Sequence, residues 1–308
     1  MDIIEPSFKV ERFMERGDVI KNIELYGRVA YKSEDKITDE SAAKFVSRVI
    51  SLGHESVLEH GTHIFRTAIK SPSHRQSMVE DLLGIKEGTV GLHFSFTPNY
   101  VVISANVRTI RDAKRFVDNC LANDLLRAAS AECPALYSDL RARGQQVDEF
   151  DPVQEQISLL WLPPEQSAKH LYATVRFICD RGVSHEDVRH RTMSLTQEST
   201  RYCNYLKKGI QFIKPLFWDT ASDKYAHWKA AMEHAEFEYN WMISNGASPQ
   251  EARSVLPNSL KTEIVQTANF VEWRHIFSLR ADSHAHPQMQ QLMYPLKADF
   301  HNRLPMIF

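Results

Sequence analysis

The chain has 308 residues, of which 43% are hydrophobic and 25% charged, and its formal net charge is −2. This is ordinary globular composition in a chain long enough to bury a sizeable core. The near-neutral balance excludes a general attraction to nucleic acid or to an anionic membrane, and no apolar run approaches the roughly 20 residues that span a bilayer.

Apolar spacing and capping residues predict the elements of the first half of the chain. An amphipathic helix over 38–52 has Thr38 as a candidate N-cap and Gly53 as its stop. The other elements predicted in this half are strands over 62–69 and 101–104 and a helix over 107–129.

A strand predicted over 173–179 leads into the most polar part of the chain. Ser184 is a candidate N-cap, and it predicts a short helix from residue 185 to about residue 192. Such a helix would place Glu186 and Arg189 on one face, because they are three residues apart. Further helices are predicted over 222–245, after a capping box at 248–251, over 268–280, and from Pro287 onward.

These elements predict an α+β protein with a few mostly antiparallel strands and several helices. Its four cysteines are dispersed without a CxxC pair, which disfavours a zinc ribbon or a dithiol redox site. The first residues, Met-Asp-Ile-Ile-Glu-Pro, lack the cationic and apolar regions of a secretory signal. We therefore expect a cytoplasmic protein with reduced cysteines.

Residues 189–202 are the most informative stretch for function, and they read Arg-His-Arg-Thr-Met-Ser-Leu-Thr-Gln-Glu-Ser-Thr-Arg-Tyr. Two arginines flank a histidine, a hydroxyl-rich segment follows, and a further arginine stands beside a tyrosine. Guanidinium groups bind phosphate bidentately, so this donor density suits a nucleotide. The alternative is a solvated basic turn, but such a face more often uses Lys and Glu.

Arg189, His190 and Arg191, followed after seven residues by Ser199, resemble the signature of the flavin-dependent thymidylate synthases, the ThyX family. Arg201 and Tyr202 continue the resemblance. Three other segments resemble blocks of that family in the same order, namely Gly-His-Glu-Ser-Val-Leu-Glu-His at 53–60, Ala-Arg-Ser-Val-Leu-Pro at 252–257 and Leu-Arg-Ala-Asp-Ser-His-Ala at 279–285.

The resemblance implies a single catalytic domain over 1–308, with a mostly antiparallel central sheet flanked by helices. It also implies a homotetramer whose active sites are shared between subunits, with no nucleic acid or membrane partner. Residues 71–168 are much longer than the link of compact family members. We expect them to be an insertion that elaborates the outside of the assembly without taking part in the chemistry.

The implied reaction is the reductive methylation of dUMP to dTMP. Methylenetetrahydrofolate would supply the carbon, and FAD reduced by NADPH would supply the hydride. Classical thymidylate synthase instead activates the ring with a cysteine in a Pro-Cys-His setting, and none of the four cysteines here has that setting. The protein would act mainly by positioning and electrostatics.

The resemblance also implies residue roles. Arg280 is the expected catalytic cation, at the uracil edge, where it would stabilise the negative charge that develops on the ring. The expected dUMP ligands are Glu186, Arg189, Gln197, Ser199, Arg201, Arg253 and Arg280. The expected FAD ligands are Ser56, Arg189, His190, Arg191, Asn269, His275 and His284. Glu186, Gln197 and His275 stand where many members have Gln, Glu and Asn respectively.

Several other interpretations are open from the sequence. Ser199 could be a nucleophile, but no His-Asp relay is evident near it, so phosphate binding is favoured. His54 and His60 lack the i, i+4 spacing of a zincin helix, and we expect no metal. The chain could act on another pyrimidine nucleotide, or it could bind nucleotide or RNA without catalysis. A basic, aromatic-lined surface pattern, which would favour RNA, is missing from the sequence.

Overall fold

The computed structural model describes residues 1–206 and 209–308, and within them it confirms the predicted α+β class. The strands are β1 (Asp2–Ile4), β2 (Ser7–Phe13), β3 (Thr62–Ala68), β4 (Leu92–Phe96), β5 (Tyr100–Asn106), β6 (Asp151–Pro152), β7 (Tyr172–Asp180), β8 (Ser194–Gln197), β9 (Gln211–Ile213) and β10 (Lys261–Asn269). The helices are α1 (Val19–Val29), α2 (Ser41–Ser51), α3 (Pro72–Gly88), α4 (Val107–Asp112), α5 (Cys120–Glu132), α6 (Pro164–Ser167), α7 (Arg181–Asp187), α8 (Asp223–Ser244), α9 (Pro249–Ala252), α10 (Phe270–Arg280) and α11 (Pro287–Arg303).

The first sheet has the strand order β2-β7-β10-β8 and is antiparallel throughout. Its two central strands pair along their full length, from Lys261 opposite Asp180 to Asn269 opposite Tyr172. Trp273 and Phe300, from α10 and α11, pack in the main hydrophobic core with residues of this sheet. Because the two central strands are almost entirely buried, the loops that leave them are held firmly in place.

A second antiparallel sheet has the order β4-β5-β3-β6, so the fold contains two four-stranded sheets rather than the one central sheet expected. Three of its strands come from residues 71–168, and helices α3 and α5 cover it around a core that includes Phe65, Leu82 and Ile103. Val102 also packs in the main core of the first sheet. The expected insertion is therefore a folded layer that shares one core with α1, α2 and β3.

Buried polar contacts join the two sheets. His60, which precedes β3, is hydrogen-bonded to Thr267 of β10 at 2.8 Å and to Thr196 of β8 at 3.0 Å. Burial lowers the pKa of His60 to about 3, and it does the same for His170, which is hydrogen-bonded to Ser104 at 2.6 Å. Both rings are neutral over the physiological range, so these contacts do not change with pH there.

Strand β10 was not predicted, and the helix predicted over 268–280 begins two residues later, at Phe270. The strand is rich in polar residues, so it lacks the apolar run from which a buried strand is predicted. Its last residue, Asn269, caps α10, since its side-chain oxygen accepts from the amide of Glu272 at 2.9 Å. A residue that ends a strand and caps a helix thus fixes the direction in which α10 leaves the sheet.

The helix predicted over 107–129 is wrong as a single element. Helix α4 ends in a wider π turn, and Asp118 then adopts a left-handed conformation with φ 50°. Asn119 caps α5, its side chain accepting from the amide of Ala122 at 2.8 Å. The apolar pattern persists across the break because both helices cover the same sheet.

Two predicted helix starts are also wrong. Thr38 does not cap the helix predicted over 38–52, which begins at Ser41, although Gly53 follows its end with φ +69° as expected. Helix α7 begins directly after β7 with Asp180 as its cap, and Ser184 lies inside it, donating to the carbonyl of Arg181. Because α7 ends at Asp187, Arg189 lies beyond the helix rather than on one face with Glu186.

The remaining predicted elements are confirmed. The strands over 62–69, 101–104 and 173–179 match β3, β5 and β7, and the helix over 222–245 matches α8. The capping box at Ser248 and the start at Pro287 are both present. No helix in the described part of the chain combines the length and apolarity that crossing a bilayer requires.

Candidate active site

Arg280, the last residue of α10, is fixed by two residues that lie on or just after α7. Its Nη1 donates to Oε2 of Glu186 at 3.0 Å and its Nη2 donates to the Glu186 carbonyl at 2.9 Å. Its Nε donates to Nε2 of His190 at 3.1 Å. The Arg280 side chain is 19% exposed, so the guanidinium is held in one orientation with part of its edge open to solvent.

His190 connects this arginine to a partly buried carboxylate. Because Nε2 of His190 accepts from Arg280, a neutral ring carries its proton on Nδ1, which lies 3.5 Å from Oε1 of Glu272. Burial acts to raise the pKa of Glu272, but hydrogen bonds from His190 and Thr192 bring it below its usual value. Glu272 is therefore an anion that orients His190, and His190 in turn orients Arg280.

These residues surround a cleft of about 350 Å³. The ring of His275 packs edge-on against His190, with centroids 5.7 Å apart. Basic groups dominate the lining, and its one carboxylate is occupied by His190 and Thr192, which makes the cleft suitable for an anionic ligand. The lining residues are Arg189, His190, Arg191, Thr192, Glu272, His275, Leu279 and Arg280.

His190, Glu272 and His275 also place one possible metal-ligating atom each within 4.8 Å of one another. In this structure the His190 ring is instead engaged by Arg280 and Glu272. The sequence-based expectation of no metal stays a prediction.

Ser199, Arg201 and Arg253 do not line this cleft. The amide of Ser199 donates to the carbonyl of Ala30 at 3.0 Å, and Nη1 of Arg253 donates to the Thr200 hydroxyl at 3.4 Å. The hydroxyl of Ser199 accepts from the amide of Arg201 at 3.3 Å. No histidine is hydrogen-bonded to this serine among residues 1–206 and 209–308, so an activated nucleophile has no support there.

Beside this turn is a second cavity, of about 620 Å³, with a basic and aromatic lining. The rings of Tyr31 and Tyr202 are 5.2 Å apart, and the Tyr31 hydroxyl is 3.1 Å from Nδ1 of His54. Except for Tyr202 and His54, its residues carried no signal in the sequence, because they come from two ordinary amphipathic helices and their ends. They are Arg28, Tyr31, Ser33, Lys36, Phe45, Arg48, Val49, Leu52, His54 and Tyr202.

A buried ion cluster lies under the Ser199 turn, and the sequence analysis missed it. Glu198 is buried, with Lys32 at 2.8 Å, Lys261 at 3.0 Å and the hydroxyl of Tyr205 donating at 2.7 Å. Burial alone would raise the pKa of Glu198, but the two lysines and Tyr205 keep it below its usual value. The available signal was a single acidic residue inside a basic, hydroxyl-rich motif.

The other candidate residues occupy separate positions. The Gln197 amide donates to Ser184 at 2.7 Å and to Thr262 at 3.1 Å, so it links α7 to β10. Ser56 is exposed in the turn Glu55–His60. The His284 side chain is 94% exposed and close to Asp282, and it lines neither of the two cavities described above. Asn269 is buried at the start of α10.

Asp187 is a buried carboxyl group behind Arg280. Neither of its oxygens has a hydrogen-bond partner in the described part of the chain. The side-chain nitrogen and oxygen of Gln266 are also buried without a hydrogen-bond partner there. Burial raises the pKa of Asp187 to about 7, against the opposing effects of Gln266 and Arg280. The unfolded carboxyl ionises near pH 4, whereas the folded one keeps its proton until about pH 7.

We expect the substitution Asp187→Asn to stabilise the fold. Ionisation of Asp187 opposes folding above pH 4, so the gain in free energy of unfolding should grow from pH 4 to pH 7 and then stay level, with an upper limit of about 4 kcal/mol. Denaturant unfolding at pH 5 and pH 8 measures it. An equal gain at both pH values, or a loss at pH 8, would contradict this assignment.

The fold and the cleft define an α+β protein with a basic cleft built where α10 meets the Arg-His-Arg loop. Residues 159–306, which include every residue lining the Arg280 cleft, match the family described as thymidylate synthase complementing protein, Thy1. The matched segment is just under half of the chain.

Curated relatives point to the same family. The chain is 30% identical over 127 residues to the flavin-dependent thymidylate synthase of Pyrococcus furiosus, which is 41% of this chain and 52% of the relative. It is 31% identical over 130 residues to the enzyme of that name from Thermococcus kodakarensis, covering 41% and 53% respectively. For the Geobacter sulfurreducens protein of the same name the identity is 31% over 112 residues, covering 36% and 48%. The chain spans about half the length of these relatives.

Proposed function

We propose that this protein is an FAD-dependent thymidylate synthase, which methylates dUMP to dTMP with methylenetetrahydrofolate as the carbon donor and NADPH as the reductant. The observation that carries the proposal is the convergence of the Arg-His-Arg loop and Arg280 on one cleft. The names of the curated relatives support it. FAD, when bound, would supply the hydride for the reaction.

The donor set of the cleft fits a flavin nucleotide. Arg189 and Arg191 are permanent cations that suit phosphate, and His190 and His275 offer ring nitrogens and flat surfaces. Together with the buried amide of Asn269, these residues would hold FAD. Ser56 and His284 are part of the proposed FAD site only if another subunit brings them to it, since they lie apart from the cleft.

Arg280 would act on the pyrimidine. A cation fixed by Glu186 and His190 needs no reorganisation when negative charge develops on the uracil ring, and this is the arrangement that electrostatic catalysis requires. Ser199, Arg201 and Arg253 would bind the dUMP phosphate, and Arg189, which lines the Arg280 cleft, would join them from another copy of the chain. Gln197 would act as a neutral hydrogen-bonding group, because an amide cannot serve as a base.

The separation of the proposed dUMP ligands supports a shared active site. The Arg280 cleft and the cavity beside Tyr202 have no lining residue in common. Ser199, Arg201 and Arg253 line neither of them. We propose that dUMP reaches both Arg280 and the Ser199 turn at an interface between copies of the chain in the proposed homotetramer. We propose the whole chain as one catalytic unit in this assembly.

The proposal is tested by measuring thymidylate formation. The protein is incubated with dUMP, methylenetetrahydrofolate, NADPH and FAD, and dTMP is measured by chromatography. We expect product only when FAD is present, because the folate alone does not supply the hydride in this scheme. Flavin binding without product would move the assignment to another pyrimidine nucleotide. A folded protein that neither forms product nor binds flavin would leave only a nucleotide-binding role.

A further inference from the structure

A third cavity, of about 380 Å³, adjoins the Arg280 cleft. The two share Thr192 and Glu272, so they lie side by side at the start of α10. Three lining residues come from the insertion, because Lys86 lies at the end of α3 and His93 and Phe94 lie on β4. The full lining is Lys86, His93, Phe94, Lys169, Thr192, Asn269, Val271 and Glu272.

The lining has the chemistry of a site for a phosphate next to a flat ring. Lys86 and Lys169 bring two cations, and the Lys86 ammonium is 5.9 Å from the centre of the Phe94 ring. The one carboxylate of the lining, Glu272, is engaged by His190 and Thr192. The positive charge of the two lysines is therefore available for an anion.

In this third cavity, His93 and Asn269 join the insertion to the segment 159–306 that matches the family model. Nε2 of His93 is 3.2 Å from Nδ2 of Asn269, whose amide also donates to the Lys169 carbonyl at 3.2 Å. Burial, with the nearby Lys86 and Lys169, lowers the pKa of His93 to about 4, so the ring is neutral near pH 7. An amide nitrogen is a donor, so Nε2 accepts and the His93 proton is on Nδ1.

The volumes of the two adjoining cavities limit the size of the ligand that each can hold. Pockets for small ligands range over roughly 300–1,000 Å³, and each of the two adjoining cavities is at the low end of that range. A mononucleotide can be held by one of them, whereas a dinucleotide, which has two nucleotide halves joined through phosphates, needs both.

We propose that the insertion completes the cofactor site, with Lys86, His93 and Phe94 holding the adenosine-phosphate half of the flavin dinucleotide. This inference rests on the proposed function and extends it. The flavin half lies in the Arg280 cleft, the phosphates pass Thr192, and the adenosine half reaches the insertion. Residues 71–168 thus select FAD over FMN, rather than being the external elaboration expected from the sequence.

The test compares FAD with FMN, since FMN carries the same isoalloxazine ring and one phosphate but no adenosine half. Binding of both flavins to the full-length protein is measured by calorimetry, for the unchanged chain and for Lys86→Ala, His93→Ala and Lys297→Ala. Lys297 is the matched control, because it is an exposed lysine on a helix and lines none of the three cavities.

We expect Lys86→Ala and His93→Ala to weaken FAD binding about tenfold or more while FMN binding stays unchanged, and Lys297→Ala to leave both unchanged. Lys86 is exposed at the end of its helix, so its removal should not affect folding, and circular dichroism checks this for each variant. Unchanged FAD binding in Lys86→Ala, or equal weakening of both flavins, would overturn the inference. An unchanged chain that binds neither flavin would instead overturn the proposed function.

Discussion

Replacing Arg280 with alanine should lower the rate of thymidylate formation by roughly 10²–10³-fold, because the site would lose its fixed cation. The loss should appear in kcat, since in the proposed reaction the charge that this cation would stabilise develops only as the pyrimidine ring is attacked. Glu186 would lose its partner, but its side chain is 35% exposed and can be hydrated, so the fold should persist. Steady-state kinetics together with a melting curve separate the two effects.

The variant Arg280→Lys is the matched control for geometry. Lysine keeps the charge, but it cannot donate through a planar fork to Glu186 and His190 at once. We expect it to recover only part of the lost rate. An alanine variant with full activity would remove Arg280 from the mechanism, and a lysine variant with full activity would show that charge alone is needed.

The second large effect should come from Glu198→Gln, which we expect to lower the free energy of unfolding by about 3–5 kcal/mol. The change leaves Lys261 and Lys32, whose side chains are 8% and 20% exposed, without their shared carboxylate. Of its ion pairs with residues 1–206 and 209–308, Lys261 would keep the longer one, with Glu263 at 3.4 Å. Denaturant unfolding at pH 7 measures the difference.

Glu233→Gln provides the surface control. Glu233 pairs with Lys229 on α8 at 3.5 Å, and both side chains are about half exposed, so its loss should change stability by less than about 1 kcal/mol. A similar small effect for Glu198→Gln would contradict the importance of the buried cluster.

The Glu198 cluster should also give the stability a defined pH dependence. The pKa of the folded carboxylate lies below its usual value, so its contribution is present above the unfolded pKa of about 4.3 and is lost as the pH falls through the lower folded pKa. The Glu198→Gln protein should therefore lose less stability than the unchanged chain over this acidic range.

The sequence predicted elements well where a single local interaction decides them. Gly53, Ser248 and Pro287 each mark a boundary through backbone preference or capping, and the structure has all three boundaries. Local signals failed where two caps compete. Ser184 has the composition of a cap, but Asp180 lies at the end of a buried strand and begins the helix first.

Strand β10 shows a different reason for failure. Its polar residues are typical of a surface segment, yet Thr267 is buried and hydrogen-bonded to both His60 and Thr174. Those partners are far away in the sequence, so no local pattern could have predicted the burial. The Glu198 cluster was not predicted for the same reason, because the lysines that neutralise Glu198 come from other elements.

The candidate site was predictable only through the family resemblance. That resemblance selected Arg280, His190 and Glu186, and the structure brings these three together by direct hydrogen bonds. The role of Glu272 in orienting His190 depends on the spatial approach of α10 to the Arg-His-Arg loop, which residue spacing alone does not determine. Lys86 and His93 were outside the resemblance altogether.

The arrangement of the two sheets has a consequence for the order of folding during synthesis. The second sheet and its covering helices come from one stretch of chain, β3 to β6, so all its partners are available early. Strand β2 must wait for β7, since Ser7 pairs with Ile178, and β7 in turn needs β10. At about 5–20 residues per second, the second sheet can form seconds before the ribosome completes the first. We therefore expect the layer from the insertion to be a preformed surface on which the first sheet assembles.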